Sequence, residues 1–120
     1  MEIVGLDHVQ LAAPPDCEEE ARRFFGQLLG LAELEKPEPL GGRGGVWFAL
    51  GSQQLHVGVE DEHRPALKAH PALAVRDLDS LAARLEAAGV PVEWDASLPA
   101  VRRLYAADPW GNRIELVAER

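Results

Sequence analysis

The sequence contains a single cysteine, fewer basic than acidic residues, and no long apolar run. With Cys17 alone, no disulfide bond can form within the chain. Its 12 Lys and Arg residues against 20 Asp and Glu give a net charge of −8, which disfavours non-specific binding to a phosphate backbone. No stretch approaches the roughly 20 apolar residues that cross a bilayer, and the first residues lack the pattern of a secretory signal. These absences predict a cytoplasmic protein with no nucleic-acid or membrane partner.

Length and composition favour one folded domain over residues 1–120. The chain has 120 residues, of which 47% are hydrophobic and 27% are charged. These values are ordinary for a globular protein and unlike those of a disordered one. A chain of this length can bury a sizeable core without disulfides.

The first half of the chain has the pattern of a strand, a helix and three further strands. Asp16 and Glu19 have the spacing of a capping box, which predicts that a helix begins at Asp16. Gly30 is typical of the residue that follows a helix. Residues 36–45 are rich in proline and glycine and predict a loop. The predicted strands cover residues 4–13, 31–35, 46–50 and 54–59, and the predicted helix runs to Leu29.

The second half repeats this plan after a polar linker over residues 60–68. From Gly30 to His56 the chain advances 26 residues, and from Gly89 to Glu115 it also advances 26. A repeat of about 60 residues that cannot bury its apolar face alone predicts two copies packed as one domain. The predicted elements are strands over 70–75, 90–94, 101–107 and 113–117 and a helix from an Asp77 cap to Ala88.

Alternation of side chains places one ionisable residue on the same face of four predicted strands. Successive side chains in a strand point to opposite faces, and one face of each of these strands is aliphatic and expected to pack under the helices. The other face carries small or polar residues, which is more typical of a concave site than of a sheet in open water. The four ionisable residues are His8, His56, His70 and Glu115.

Three segments of the chain resemble the vicinal oxygen chelate superfamily. They are Asp7-His8-Val9, His70 at the start of the second repeat, and Asp-Pro-Trp-Gly-Asn-Arg-Ile-Glu-Leu over residues 108–116. This superfamily includes glyoxalase I, fosfomycin-resistance thiol transferases, extradiol dioxygenases and bleomycin-resistance binding proteins. The resemblance implies an α+β fold in which two βαβββ modules, over about 1–60 and 69–120, form a curved mixed sheet around a cleft, with the helices on its outer face.

The resemblance also implies that His8, His70 and Glu115 are ligands of a divalent metal. Two imidazoles and a carboxylate with open coordination positions suit Zn, Ni, Mn, Fe or Co. Glyoxalase I has a fourth ligand, usually a glutamate, where this chain has His56, so the sequence departs from that enzyme here. His56 is therefore interpreted as a fourth ligand or as a base beside the metal.

Further parts of the resemblance concern the substrate. Tyr105 occupies the place where the thiol transferases have a substrate-contacting tyrosine, and with His56 and Glu115 it is a candidate catalytic residue. Arg103 lies two positions earlier and is either a bidentate fork for a carboxylate or phosphonate or a surface arginine. Trp47 and Trp94 are candidate walls of the cleft. Packing in the core would explain these two tryptophans equally well.

Two functions of different kinds fit these residues. The first is a metal-dependent enzyme of glyoxalase-like chemistry, a lyase, isomerase or thiol transferase. It would chelate a small substrate through two neighbouring oxygens and stabilise an enolate- or alkoxide-like intermediate. The second is a metal-free protein of the bleomycin-resistance kind that binds a drug or metabolite. A dioxygenase is less favoured, because those relatives are usually longer. The modules pair within one chain or across a dimer, and a homodimer is expected.

Overall fold

The computed structural model describes residues 2–120, which form two compact units. Within the described residues the units are 2–64 and 65–120, so their boundary falls inside the predicted linker. No helix within residues 2–120 is long and apolar enough to cross a membrane. The strands are β1 (His8–Ala13), β2 (Glu33–Leu34), β3 (Val46–Leu50), β4 (Gln53–Val59), β5 (Ala72–Val75), β6 (Glu93–Asp95), β7 (Arg103–Ala107) and β8 (Arg113–Ala118). The α-helices are α1 (Glu18–Ala21), which continues as π-helical turns over Arg22–Leu28, and α2 (Leu78–Ala87). A short 3-10 helix, Glu38–Leu40, lies within the predicted loop.

Each unit contains one four-stranded mixed sheet, and the two sheets have the same topology. Their strand orders are β1-β4-β3-β2 and β5-β8-β7-β6. In each sheet the first strand pairs in parallel with the last strand of the unit, while the other pairs are antiparallel. The helix of each unit lies in the long crossover that such a parallel pair requires. The predicted βαβββ repeat and the α+β class are therefore confirmed.

The core of the first unit lies between the sheet and α1. Phe25 in the π-helical turns and Phe48 in β3 are fully buried, with their ring centroids 5.8 Å apart. Leu55, directly opposite Phe48, and Val57 are buried on the same face of the sheet. Each such side chain stabilises the fold by roughly 1.5–3 kcal/mol. The aliphatic face predicted from alternation is thus the helix-covered face.

The second unit has an equivalent core between α2 and its sheet. Leu85 of α2 is fully buried, as are Leu104 and Leu116, which lie directly opposite each other in β7 and β8. The Asp77 side chain accepts a hydrogen bond of 3.0 Å from the backbone N–H of Ser80. This bond satisfies one of the free N–H groups at the start of α2, and it confirms the predicted cap.

The start of α1 differs from the prediction. Asp16 has a φ of 63° and lies one residue before the N-cap, so it does not cap the helix. The N-cap is Cys17, whose side chain makes no capping bond. The Glu18 carboxylate instead accepts a 2.7 Å hydrogen bond from the backbone N–H of Gly45. The first turn of α1 is therefore tied to the loop that precedes β3.

Pairing with β4 decides where the first strand begins. The prediction began this strand at residue 4, whereas β1 begins at His8, which lies opposite Gln54. Strand β4 itself begins one residue earlier, at Gln53, so it offers almost no partner to the residues before His8. Ile3 and Val4 are accordingly exposed.

A lysine ammonium holds the proline- and glycine-rich loop before β3. Nζ of Lys36 donates to the backbone carbonyl oxygens of Arg43, Gly44 (3.3 Å) and Gly45 (3.1 Å). Gly45 has a φ of 99°, and a Cβ there would lie 2.1 Å from the carbonyl oxygen of Val57. Only glycine allows the loop backbone to come this close to Val57, so the loop packs directly against β4.

Glu18→Gln tests the tie between α1 and this loop through its pH dependence. The Gly45 N–H, the largest influence, holds the pKa of the Glu18 carboxyl below its usual 4.5. A carboxylate whose pKa is lowered by folding stabilises the protein above its unfolded pKa, and this contribution disappears as the pH falls through the folded value. We expect urea unfolding at pH 7 to show the variant less stable by about 1 kcal/mol, a difference that shrinks below pH 4.5.

Glu19→Gln is the matched control, because Glu19 is the exposed neighbour of Glu18. Its stability should follow that of the wild type at every pH. A gap between wild type and Glu18→Gln that stayed constant down to about pH 3 would show that the charged form of Glu18 is not the stabilising one.

Candidate functional site

Three stacked rings lie on the polar face of the first sheet. Trp47 is directly opposite His56 in the β3–β4 pair, and their ring centroids are 3.8 Å apart with an angle of 3° between the planes. His8, from the neighbouring β1, covers the other side of His56 with its centroid 4.3 Å away. His56 is thereby buried to 5% exposure and can interact with a ligand only through the edge of its ring.

Hydrogen bonds set which nitrogen of each ring is free. Nδ1 of His8 lies 2.9 Å from Oδ1 of Asp7, and Nε2 of His56 lies 2.8 Å from Oε1 of Gln54. Both partners are acceptors, so these nitrogens carry the protons. The lone pair of neutral His8 is then on Nε2 and that of neutral His56 on Nδ1. A carboxylate behind an imidazole is the usual second partner of a metal-binding histidine.

Burial keeps His56 neutral. The pKa of His56 lies below its usual 6.5, mainly because burial removes the imidazole from solvent. The nearby His8 lowers this pKa further, and Asp7 raises it by less. A neutral imidazole has a lone pair at pH 7. It can therefore bind a metal or accept a proton.

A cavity of about 250 Å³ opens beside Trp47 on the same face. Gly58 leaves room for the Gln10 side chain, because a Cβ at that position would lie 2.7 Å from Nε2 of Gln10. The residues that line the cavity include Gln10, Lys36, Leu40, Gly44, Trp47 and Gly58. The first unit thus offers space for a small organic group next to an aromatic wall.

Glu115 is the centre of a polar cluster in the second unit. Its Oε1 lies 3.0 Å from Nε2 of His70, and its Oε2 accepts a 3.3 Å hydrogen bond from Nη1 of Arg103. His70 lies two residues before β5, which pairs with β8 through the register of Ala72 opposite Glu115. The Glu115 side chain is 10% exposed, so the cluster is largely shielded from solvent.

The contact between His70 and Glu115 requires a positive charge, either a proton or a metal ion, between the two groups. Nδ1 of His70 lies 2.8 Å from the backbone carbonyl oxygen of Lys68, and a carbonyl only accepts, so Nδ1 carries a proton. A bare Nε2 and a carboxylate oxygen at 3.0 Å would repel each other. Either a second proton on the ring or a metal ion satisfies both lone pairs, and nitrogen and oxygen donors of this kind suit a divalent transition metal.

Glu115 is ionised at neutral pH. Burial is the largest influence and would raise the pKa of Glu115. Hydrogen bonds from His70, Arg103 and Tyr105, together with the Arg103 charge, outweigh it and lower the pKa below its usual range. The carboxylate therefore offers a full negative charge at the place where Nε2 of His70 meets it.

The remaining predicted residues of the second unit lie on two faces of its sheet. Tyr105 is directly opposite Glu115 and meets the His70 ring edge-on at 5.5 Å. Arg103 is two residues away on the same strand face, and its side chain is only 16% exposed, so it is no surface arginine. Trp94 lies opposite Leu104, on the apolar face of the sheet and away from Glu115.

The predicted ligands lie in two pairs. His8 stacks on His56 in the first unit, and His70 contacts Glu115 in the second. Within residues 2–120, no three His, Cys, Asp or Glu side chains form a group that could hold a metal ion.

Comparison with known families identifies the relationship of the chain. A model of the Glyoxalase/Bleomycin resistance protein/Dioxygenase superfamily matches residues 5–116, nearly the whole chain. The chain belongs to this superfamily. No curated protein matches it.

Solved structures of glyoxalase superfamily proteins have the same fold. A glyoxalase family protein from Bacillus anthracis is 48% identical with a TM-score of 0.96, covering 100% of this chain and 98% of that one. Lactoylglutathione lyase from Agrobacterium tumefaciens is 20% identical with a TM-score of 0.77, covering 98% and 96%. The fosfomycin resistance protein FosX from Listeria monocytogenes is 18% identical with a TM-score of 0.78, covering 98% and 95%. The last two likenesses show the fold alone.

The closing segment of this glyoxalase superfamily chain is a hydrogen-bonded turn that sets the start of β8. Oδ1 of Asp108 accepts from the backbone N–H groups of Trp110 and Asn112, and Oδ2 accepts from the Asn112 amide at 2.8 Å. Oδ1 of Asn112 in turn accepts from the N–H of Ala66 at 3.0 Å. Asp108 and Asn112 therefore hold the start of β8, and with it Glu115, in place.

Sequence reasoning missed three residues of the two clusters. Asp7 and Gln54 set the protonated nitrogen of His8 and His56, and Arg113 places its guanidinium carbon 3.9 Å over the Tyr105 ring. Gln54 and Arg113 each stand two positions before a predicted site residue. Strand alternation places Gln54 and Arg113 on the polar face, but it does not show which ring each of them contacts.

Asn112→Ala tests the turn. The substitution leaves the Asp108 carboxylate and the Ala66 N–H each short of a hydrogen bond in a buried setting, so we expect a loss of about 2–4 kcal/mol in the free energy of unfolding. Pro109→Ala is the control, because Pro109 is exposed in the same turn and should change stability by less than about 1 kcal/mol. Equal stabilities of both variants in urea denaturation would contradict the assigned role.

Proposed function

We propose that the protein is a divalent-metal-dependent enzyme that acts on a small substrate with two neighbouring oxygens. The proposed ligands are His8, His70 and Glu115, with His56 as a fourth ligand or as the proton acceptor. The metal is Zn, Ni, Mn, Fe or Co. The observation that carries the proposal is the His70–Glu115 contact, in which two ionisable groups meet at 3.0 Å with the other ring nitrogen already bonded.

The chemistry of the donors supports this assignment. Two imidazoles and one carboxylate leave coordination positions open for a substrate. When bound, the metal would supply a Lewis acid that draws charge from the two substrate oxygens and stabilises negative charge that develops on one of them. The Asp7 carboxylate and the Lys68 carbonyl fix the ring orientations of His8 and His70, and such partners strengthen metal binding about 10–100-fold.

His56 is the proposed proton acceptor. Its neutral state, its bare Nδ1 and its fixed ring plane between His8 and Trp47 support this role. A base of this kind removes a proton from the substrate and returns it in a lyase or isomerase reaction. The proposed substrate contacts are Trp47, beside the cavity of about 250 Å³, and Tyr105, which faces the same cluster as Glu115.

The alternative is a metal-free protein that binds an organic ligand. The cavity beside Trp47 favours it, because a flat aromatic wall holds apolar and aromatic molecules without any metal. The 48% identical protein from Bacillus anthracis is a glyoxalase family protein by its name, which favours the first function. The two functions differ in whether metal is needed for the ligand to bind.

We further propose that the protein is a homodimer. Coexpression of His8→Ala and Glu115→Ala chains decides whether one chain or two supply the donors of a site. Donors from two chains would restore one complete site in each mixed dimer, and metal uptake would return. Donors from one chain would leave every site incomplete, and uptake would stay lost.

Metal analysis tests the proposed function. We expect chelator-free wild type to hold about one equivalent of divalent metal per chain. His70→Ala and Glu115→Ala should weaken binding by more than the roughly 100-fold upper limit typical of outer partners. The measurement is elemental analysis by mass spectrometry, followed by competition with a chelator of known affinity.

Glu119→Ala is the control, because Glu119 lies just beyond β8 and is exposed. It should bind metal as the wild type does, and circular dichroism should show that all variants are folded. A wild type that takes up no metal even on titration would overturn the enzyme proposal and leave the metal-free alternative.

A further inference from the structure

Two arginines share the face of the second sheet that carries Glu115. In the β7–β8 pair, Arg103 is opposite Val117, Tyr105 is opposite Glu115, and Arg113 stands two residues before Glu115 on β8. Opposite residues and residues two apart point to one face of a sheet. Both guanidinium groups therefore belong to the same polar cluster, but their partners differ.

Both terminal nitrogens of Arg103 are engaged with acidic or hydroxyl partners. Nη1 donates to Oε2 of Glu115 at 3.3 Å, and Nη2 donates to Oδ2 of Asp95 at 3.3 Å and to Oγ of Ser97 at 3.2 Å. Its Nε is buried without a partner. Two carboxylates neutralise this cation, so an incoming anion would have to displace one of them. The bond to Oε2 also turns the other oxygen of Glu115 towards His70.

Arg113 has a different environment. Its guanidinium carbon lies 3.9 Å over the Tyr105 ring, and the residue is partly exposed. Among residues 2–120 it forms no ion pair with a carboxylate. An aromatic face holds a guanidinium flat and leaves the N–H edges free to bind a carboxylate or phosphonate through two bonds. An unpaired cation stands out on a chain with a net charge of −8.

We infer that the two arginines divide the work of the proposed site, with Arg103 positioning Glu115 and Arg113 binding an anionic group of the substrate. The inference rests on the proposed function and adds a substrate class to it, namely small chelating molecules that carry a carboxylate or phosphonate group. Residues two apart on a strand are separated by roughly 7 Å, so one small molecule can reach both Arg113 and a metal beside Glu115.

Two bidentate probes separate the roles when each is titrated into Co²⁺-loaded protein and followed by visible absorption. Oxalate and acetohydroxamate both chelate through two neighbouring oxygens, but only oxalate presents further charged oxygens beyond the metal. We expect Arg113→Met to weaken oxalate binding about 10–100-fold, as for loss of a charge-assisted hydrogen bond, and acetohydroxamate binding less than about 3-fold. Arg113→Lys should recover part of the oxalate affinity, and Co²⁺ affinity should not change.

Arg103 should give the opposite result. Arg103→Met should lower Co²⁺ affinity about 10–100-fold, with partial recovery in Arg103→Lys, and should not distinguish oxalate from acetohydroxamate. Arg102→Met is the control for both, because Arg102 packs on Trp94 and pairs with Asp79 on the far side of the sheet. It should change neither affinity.

The outcomes separate this inference from the proposed function. Loss of metal binding in the wild type would overturn the proposed function itself. Normal metal uptake with equal probe affinities in Arg113→Met and wild type would overturn only the role of Arg113. Loss of oxalate discrimination in Arg103→Met, with Co²⁺ affinity unchanged, would reverse the two assignments.

Discussion

The parallel pairing of β1 with β4 and of β5 with β8 is the constraint on which both residue clusters depend. It sets Gln10 beside His56 and Ala72 beside Glu115, although each pair is separated by more than 40 residues in the chain. A slip of one residue in either pair would turn the ionisable side chain towards the helix-covered core. There a charge without partners would cost several kcal/mol. Burial of the apolar residues that alternate with the ionisable ones along these strands therefore fixes the register, and the register keeps the ionisable side chains on the polar face.

The sequence predicts most of the fold because its apolar alternation and its turn residues agree with each other. Gly30 and Gly89 have positive φ after their helices, as expected, and Asp77 caps α2. Asp16 has the same local signal as Asp77 but adopts a left-handed conformation. Long-range contacts decide this difference, since Glu18 is drawn to Gly45 in a loop that no local pattern connects with α1.

The sequence predicts which face of each sheet carries the candidate site, but not the hydrogen-bond partners of the residues on that face. Alternation predicts a polar face that carries His56 and Glu115, and the register then places Trp47 opposite His56 and Tyr105 opposite Glu115. Which nitrogen of an imidazole is protonated depends on a neighbour in three dimensions, such as the Lys68 carbonyl behind His70. The distinction between a neutralised and an unpaired arginine has the same origin. Composition and spacing contain no information on either.

The Lys36 ammonium in the loop before β3 has a consequence for the environment in which the protein works. Ion pairs on a protein surface weaken as the salt concentration rises. The bonds of Lys36 instead join its ammonium to uncharged carbonyl oxygens of the backbone, so dissolved ions screen them less. The wall of the cavity beside Trp47, to which Lys36 and Gly44 contribute, therefore depends little on the salt content of the medium.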